Sequence, residues 1–241
     1  MIKLNTILKN SYRLILKENL ITGILFNLFL IIPGYAQDLP IGYVKYFSDK
    51  ANTQLFLQKI YSCTPEYWNI SKDKSCTILN PVKPDSLQPV PFPLMTGIIG
   101  NMIFGEFIME FEFYSAHNPE PDSSGFCFIG PVKSAETYYA YVFERDTINF
   151  YFINKNTLKK AGSHAYRPIS DKWNHVIVTR DILSRTISFV FNRDTKTRIT
   201  FSDPRLVMGY VGFGVWETES KIKNINIWAP TVITDSTFLC K

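Results

Sequence analysis

The sequence predicts an all-β fold, an antiparallel β-sandwich, on three observations. Between residues 105 and 228 the apolar positions recur with period two, and nothing after residue 37 keeps the 3.6-residue period of an amphipathic helix. The apolar runs are short and separated by clusters of turn residues. Aromatic residues make up 15% of the chain against 20% charged residues, the profile of a strand-rich core rather than a disordered chain. At 241 residues the chain suits one sizeable domain with extensions.

The first 36 residues read as a targeting segment. Lys3, Lys9, Arg13 and Lys17 precede an apolar run of 13 residues at 20–32, which Pro33 and Gly34 break before the small residue Ala36. A basic start, a short apolar stretch and a small-residue exit describe a secretory signal peptide, whereas a spanning helix needs about 20 apolar residues. The exported chain is expected to begin at Gln37. The same segment holds +3 of the formal net charge of +5, so the remainder has no basic stripe and nucleic acid is not an implied partner. Export places Cys63, Cys76, Cys127 and Cys240 in an oxidising compartment, where four cysteines permit three pairings. Cys63 with Cys76 is the most economical pair, closing a short loop, and Cys127 inside the apolar run GFCFIG reads equally as a buried thiol. No CxxC or His-x-His spacing supports a zinc site.

Residues 37–104 are expected to form a strand-and-loop extension of the same domain. Stretches 41–47 and 55–61 suit strands, while Pro84, Pro89, Pro91 and Pro93 make 83–93 an extended surface loop, because proline donates nothing to a ladder. The sandwich core is expected at 105–230, followed by a tail at 231–241. Its first strand, 106–114 (EFIMEFEFY), sets Phe107, Met109, Phe111 and Phe113 against Glu106, Ile108, Glu110, Glu112 and Tyr114. A short strand at 125–129 and an aromatic hairpin at 137–153 (TYYAYVFERDTINFYFI) come next. A loop carrying Lys159, Lys160 and Gly162 leads to strands at 173–180 (WNHVIVTR), 185–191 (RTISFVF) and 198–201. Strands 209–216 (GYVGFGVW) and 221–228 (KIKNINIW) close the series.

This succession resembles the concanavalin A-like lectin/glucanase superfamily, and within it the LamG-like and 3-keto-disaccharide hydrolase-like domains. The resemblance rests on GEFIMEFEF, GFCFIG and YYAYVFERDTINFYFINK, then DKWNHVIVTRD, RTISFVFN and the closing pair GYVGF…IKNINI, over about residues 105–228. It implies a jelly-roll sandwich and carbohydrate as partner. Two departures bear on activity: the Glu-x-Asp-x-x-Glu run of the retaining glucanases is absent, and Ile222-Lys223-Asn224-Ile225 stands where the keto-sugar relatives carry Phe-Arg-Asn-Ile. Calcium occurs among relatives, but no calcium ligand set is readable here. Three readings follow: a carbohydrate-binding or sugar-processing module, a glycoside hydrolase or lyase acting on 3-keto-disaccharides, and a cell-surface interaction domain without a small ligand.

Pairing the hairpin at Glu144 and Thr147 divides it into two faces. Phe143, Tyr141 and Tyr139 oppose Ile148, Phe150 and Phe152 as a core wall. The other face pairs Val142 with Asn149, Ala140 with Tyr151 and Tyr138 with Ile153, and ends at Glu144. The strand at 209–216 divides likewise, with Tyr210, Gly212, Gly214 and Trp216 opposite Val211, Phe213 and Val215. Tyr138, Asn149, Tyr151, Tyr210 and Trp216 are therefore candidate ligand contacts, as flat rings and hydrogen-bonding groups suit sugars. A sheet face covered by loops reads the same pattern, and the glycines mark either room for a ligand or a close backbone approach. Glu144 on this face, and Glu110 with Glu112 at the spacing of paired glycosidic carboxylates, are the catalytic candidates; alternating glutamates on a solvent face are the other reading. Trp173 and Trp228 read as core or edge packing.

Overall fold

Alternation decides the architecture strand by strand. In the computed structural model, which describes residues 39–48, 58–59, 68–73, 76–81, 95–115, 125–134, 136–144, 146–155, 157–166, 169, 171–202, 205, 207–216 and 220–234, seventeen strands are assigned. The chain divides into Met1–Ile41 and Gly42–Lys241, and every described strand belongs to the second unit. The expected targeting segment, the proline-rich loop and Cys63 lie outside the described residues.

In chain order the strands are β1 (Val44–Ser48), β2 (Gln58–Lys59), β3 (Trp68–Asp73), β4 (Cys76–Pro81), β5 (Met95–Ile98), β6 (Met102–Phe104) and β7 (Phe107–Ser115). There follow β8 (Gly125–Ser134), β9 (Thr137–Phe143), β10 (Thr147–Asn154), β11 (Thr157–Ala165), β12 (Trp173–Asp181) and β13 (Thr186–Phe191). The last are β14 (Ile199–Ser202), β15 (Tyr210–Trp216), β16 (Ser220–Ala229) and β17 (Val232–Thr234). The front sheet runs β14-β13-β12-β7-β16-β4-β3, with β1 also paired to β16; the back sheet runs β11-β10-β9-β8-β15-β5-β2; β17 pairs with β6. All pairings are antiparallel, and the described residues contain no α-helix, only a 3₁₀ turn at Thr195–Thr197.

The two sheets meet through aromatic rings. Phe113 of the front sheet stacks on Phe126 at 4.9 Å and on Phe143 at 5.5 Å between centroids, and Phe126 stacks on Phe143 at 5.5 Å. Tyr141 lies flat on Phe150 at 4.9 Å and reaches across to Phe189 at 5.0 Å. These pairs add about 0.5–1.5 kcal/mol each beyond the burial of their area. β12 shows the underlying pattern most plainly: its burial alternates along all nine residues, with Val176 and Val178 inward between Asn174 and Arg180. Buried Asn174 is satisfied by the Ile169 N–H (2.9 Å), the Ile169 carbonyl (2.9 Å) and the Lys172 carbonyl (3.1 Å).

The hairpin register agrees with expectation at every pair: Phe143↔Ile148, Tyr141↔Phe150 and Tyr139↔Phe152 on one face, Val142↔Asn149, Ala140↔Tyr151 and Tyr138↔Ile153 on the other. Its first face is the core wall. Elsewhere the structure departs from expectation. The segment with Lys159, Lys160 and Gly162 is the strand β11, not a loop: it is an edge strand exposed along most of its length, so no apolar alternation advertises it, and lysines guard the free edge. The described strands of residues 39–104 pair into both sheets, β1 and β4 with β16 and β5 with β15, which is no departure from an extension of the same domain.

Phe126 touches Phe113, Phe143, Phe111 and Phe213. Phe126→Ala should therefore cost about 3–5 kcal/mol, whereas Leu183→Ala at an exposed turn should stay within about 0.5 kcal/mol. Urea titration followed by tryptophan fluorescence checks this, and equal midpoints for the two variants would remove the ring stack as the main tie between the sheets.

Candidate functional site

The back sheet brings β10, β9, β8 and β15 side by side, so the hairpin and the Gly-rich strand share one sheet. Its outer face is filled. Ile98, Ile129, Val132, Tyr138, Val142 and Tyr210 form a second buried cluster, with Tyr138 at 0% exposure and Tyr210 at 2%. Asn149, at 2%, donates to the Thr147 hydroxyl (3.2 Å) and accepts from the Ser163 hydroxyl (2.7 Å). Tyr151 is half-buried, and burial followed by the nearby Glu144 carboxylate raises its phenol above the ordinary range. Glu144 is half-exposed at the hairpin tip, its N–H donating to the Thr147 carbonyl. Trp216 ends β15 opposite Gly125.

Gly212 of β15 answers to backbone approach. A Cβ on Gly212 would strike the Gly97 carbonyl of β5, and the ladder slips beside β8 between Tyr210 and Gly212. That approach is the chain's own. Cys127 faces the same cluster as a buried free thiol, pushed well up by desolvation. Cys76 opens β4 opposite Asp73.

The outer face of the front sheet has the opposite character. Register places Tyr114 between Trp173 and Lys221, Glu112 between His175 and Lys223, Glu110 between Ile177 and Asn226, and Ile108 between Thr179 and Trp228. These four cross-strand rows share a face by the pleat alone. One irregularity completes it. At Asn224, with φ of 54°, the β16–β7 ladder slips between Lys223 and Asn226. Asparagine adopts this left-handed conformation more readily than other non-glycine residues. The slip lets Ile222, Ile225 and Ile227 all point inward, while Lys221, Lys223, Asn226 and Trp228 point out.

The polar groups on this face are joined into a network. His175 Nε2 lies 2.6 Å from Glu110 Oε1, and its Nδ1 is buried without a hydrogen-bond partner. The Asn224 amide donates to Glu112 Oε1 (2.9 Å), and Lys223 Nζ lies 3.6 Å from Glu112 Oε2. Lys45 of β1 donates to the Asn226 amide oxygen (3.1 Å). The hydrogen bond from His175 holds the Glu110 carboxyl below the usual range against a burial effect of opposite sign, with His175, Arg193 and Lys45 charges helping. Tyr114 and Trp173 stand edge to face at 5.6 Å beside these groups.

Glu110 and Glu112 thus lie on the front sheet, apart from the back-sheet candidates. His175, Asn224, Asn226 and Lys45 were not singled out from sequence, and Trp173 and Trp228 sit on the outer face, outside the core clusters. Period-two counting from the inward Val176 and Val178 puts Trp173, His175 and Ile177 on the far face, so for β12 the signal was present. Elsewhere, an opening of about 670 Å³ at the sandwich end is lined by Tyr166 and Phe191, with Asp146, Asp194 and Arg198 among the polar groups. The Tyr166 hydroxyl there is buried without a partner, and burial raises its phenol. Among the described residues no group of three or more His, Cys, Asp or Glu side chains is arranged to hold a metal ion.

No protein-family model and no curated protein matches the sequence. Among solved structures the chain is similar to the κ-carrageenase of Pseudoalteromonas carrageenovora, in complex with an oligotetrasaccharide of κ-carrageenan. The TM-score is 0.53 at 10% identity, covering 84% of this chain and 100% of that one. It is similar also to a prokaryotic β-1,3-1,4-glucanase (lichenase) derived from a mouse hindgut metagenome. There the TM-score is 0.51 at 11% identity, covering 78% of this chain and 99% of that one. At this level of identity the likeness is one of fold, an all-β antiparallel jelly-roll β-sandwich.

The Glu110–His175 contact has a pH consequence. Because the folded carboxyl titrates below its ordinary 4.5, its stabilisation is complete above that value and is lost as pH falls through the folded pKa. Glu110→Gln should flatten this acid limb. Urea midpoints of both proteins, measured from about pH 6 down to about pH 3, should converge as the acid end is approached; a constant gap would mean that the pair does not titrate with folding.

Proposed function

We propose that this chain is an exported carbohydrate-binding β-sandwich that takes its glycan on the outer face of the front sheet. One observation carries the reading: four adjacent cross-strand rows, with Asn224 in the bulge between them, place two carboxylates, a histidine, two asparagines and lysines between Tyr114–Trp173 at one end and Trp228 at the other. Sugars are bound by such mixtures of rings and orienting polar groups. The fold likeness supports the substrate class, since both similar structures carry polysaccharide-degrading names. The outer face of the back sheet supports it less well, because Tyr138, Asn149 and Tyr210 are buried there.

Binding rather than hydrolysis is the better reading of the carboxylates. A glycosidase acid must hold its proton near neutral pH. Glu110 is pulled the other way by His175, which speaks against the acid role alone; the support for binding is that both carboxylates are engaged by the chain's own donors, Glu110 by His175 and Glu112 by Asn224. For export, the support is the basic-then-apolar start of the chain. Intact-mass measurement of protein recovered from outside the cytoplasm should find Gln37 as the first residue; a chain still carrying residues 1–36 contradicts processing.

Affinity electrophoresis through glycan-containing gels tests the site. Asn226→Ala should weaken retardation about tenfold, about 1.4 kcal/mol, by deleting one polar contact. The double variant Tyr151→Ala, Trp216→Ala should migrate as the parent does. The reverse result would move the site to the back sheet, and turnover of a 3-keto-disaccharide abolished by Glu110→Gln would make the protein an enzyme.

A further inference from the structure

Two rings on the front-sheet face are covered. Lys223 Nζ stands over Trp173 at 3.8 Å from the ring centroid and Lys45 Nζ over Trp228 at 4.8 Å, while Lys221 Nζ stays 6.0 Å from Tyr114. The first two lie well inside the range of cation–π attraction. A pyranose stacking on that side of either indole needs the place the ammonium group holds. Each covering lysine also has a second partner on the same face. Lys223 Nζ lies 3.6 Å from Glu112 Oε2, and Lys45 donates to the Asn226 amide oxygen at 3.1 Å. The lysine stem is flexible, so the head can leave the ring and keep that partner.

The charges around these rings balance. Lys45, Lys221, Lys223 and Arg193 stand among Glu106, Glu110, Glu112 and Asp181, cations and carboxylates in equal number, with His175 held on Glu110. Hydrogen bonds from Tyr43, Asn224 and the Leu183 and Ser184 amides engage these carboxylates and leave their charge in place. A charged glycan would upset that balance. Sugar hydroxyls both donate and accept, so an uncharged glycan can join the network without leaving a charge unmatched. The two platforms are also well apart. Trp173 lies opposite Tyr114 and Trp228 opposite Ile108, positions about 20 Å apart along β7, which is the reach of a chain and not of a single sugar.

We infer that the ligand of this face is an uncharged glycan chain that stacks on Trp173 and Trp228, and that Lys223 and Lys45 are covers it displaces from the rings. The inference rests on the placement of glycan binding on the front sheet. In the free protein the lysine stems shield indole surface from water. On binding, the sugar takes the ring, and the ammonium groups keep Glu112 and Asn226. The covers therefore lower affinity by what the ring–ammonium attraction is worth.

Affinity electrophoresis through two matched pairs of polymers tests it: dextran with dextran sulfate, and hydroxyethylcellulose with carboxymethylcellulose. At least one uncharged polymer should retard the protein, and equally at about 20 mM and about 200 mM NaCl, because no screened charge contributes. Its charged counterpart should retard it less. Lys223→Ala and Lys45→Ala should each tighten that retention about two- to fivefold, the equivalent of an exposed cation–π contact. Trp228→Ala should weaken it about tenfold, and in that background Lys45→Ala should change nothing, which separates a cover from a general effect of charge. Lysine variants that weaken retention or leave it unchanged overturn the covers. Stronger retention by the charged member of each pair overturns the uncharged assignment. Both of those results leave glycan binding standing where Asn226→Ala still weakens it. No retention of the parent or of either lysine variant by any of the four polymers overturns the inference and the glycan site together.

Discussion

The contact on which the rest depends is the stack of Phe113, Phe126 and Phe143 between the sheets. A β-strand has only two faces, so committing Phe113 inward commits Phe111, Met109 and Phe107 inward as well. It thereby sends Glu110, Glu112 and Tyr114 outward. The same parity carries to β12 and β16 through their pairing with β7. A slip of one residue would bury two glutamates and a histidine, at a cost the core could not meet. The outer polar face is thus a consequence of the aromatic core as much as a feature in its own right.

The two sheets use that parity differently. The front sheet is buried on one face, so its strands alternate cleanly. The back sheet is buried on both over its central strands, and β9 reads as an almost continuous buried run. Burial on both sides explains why a single Asn on the second face has partners on both ends of its amide. It also explains why β15 needs glycine where its neighbour's backbone comes close. What looks in sequence like room left for a ligand is room taken by β5.

Much of this was legible in the residues. The hairpin register followed from counting out from Glu144 and Thr147, and its core face followed from the register. Three things were not. β11 has no apolar stripe because an exposed edge strand needs none, so pattern alone reads it as loop. Within residues 37–104 the stretches 41–47 and 55–61 do mark β1 and β2, but the later strands are short and held by partners distant in sequence, as Ile222 with Leu79, which no local period reports. The front-sheet network was invisible for a related reason. His175, Glu110, Asn224 and Lys45 come from four strands, and only the pairing order and one left-handed residue bring them together.

That left-handed residue links fold to chemistry. Were β16 to run through Asn224 as a regular strand, Ile222 and Ile225 would lie on opposite faces, and so would Lys223 and Asn226. The slip keeps isoleucine in the core on both sides of it. It also puts Lys223 beside Trp173 and Asn226 beside Lys45 on one surface. Asn224 then spends its own amide on Glu112, which fixes the carboxylate that Lys223 approaches. A backbone conformation that costs most residues about 1–2 kcal/mol is met by a residue tolerant of it, and its side chain helps order the face it creates. Preorganisation of this kind costs a ligand nothing on arrival, because the face is ordered before anything binds.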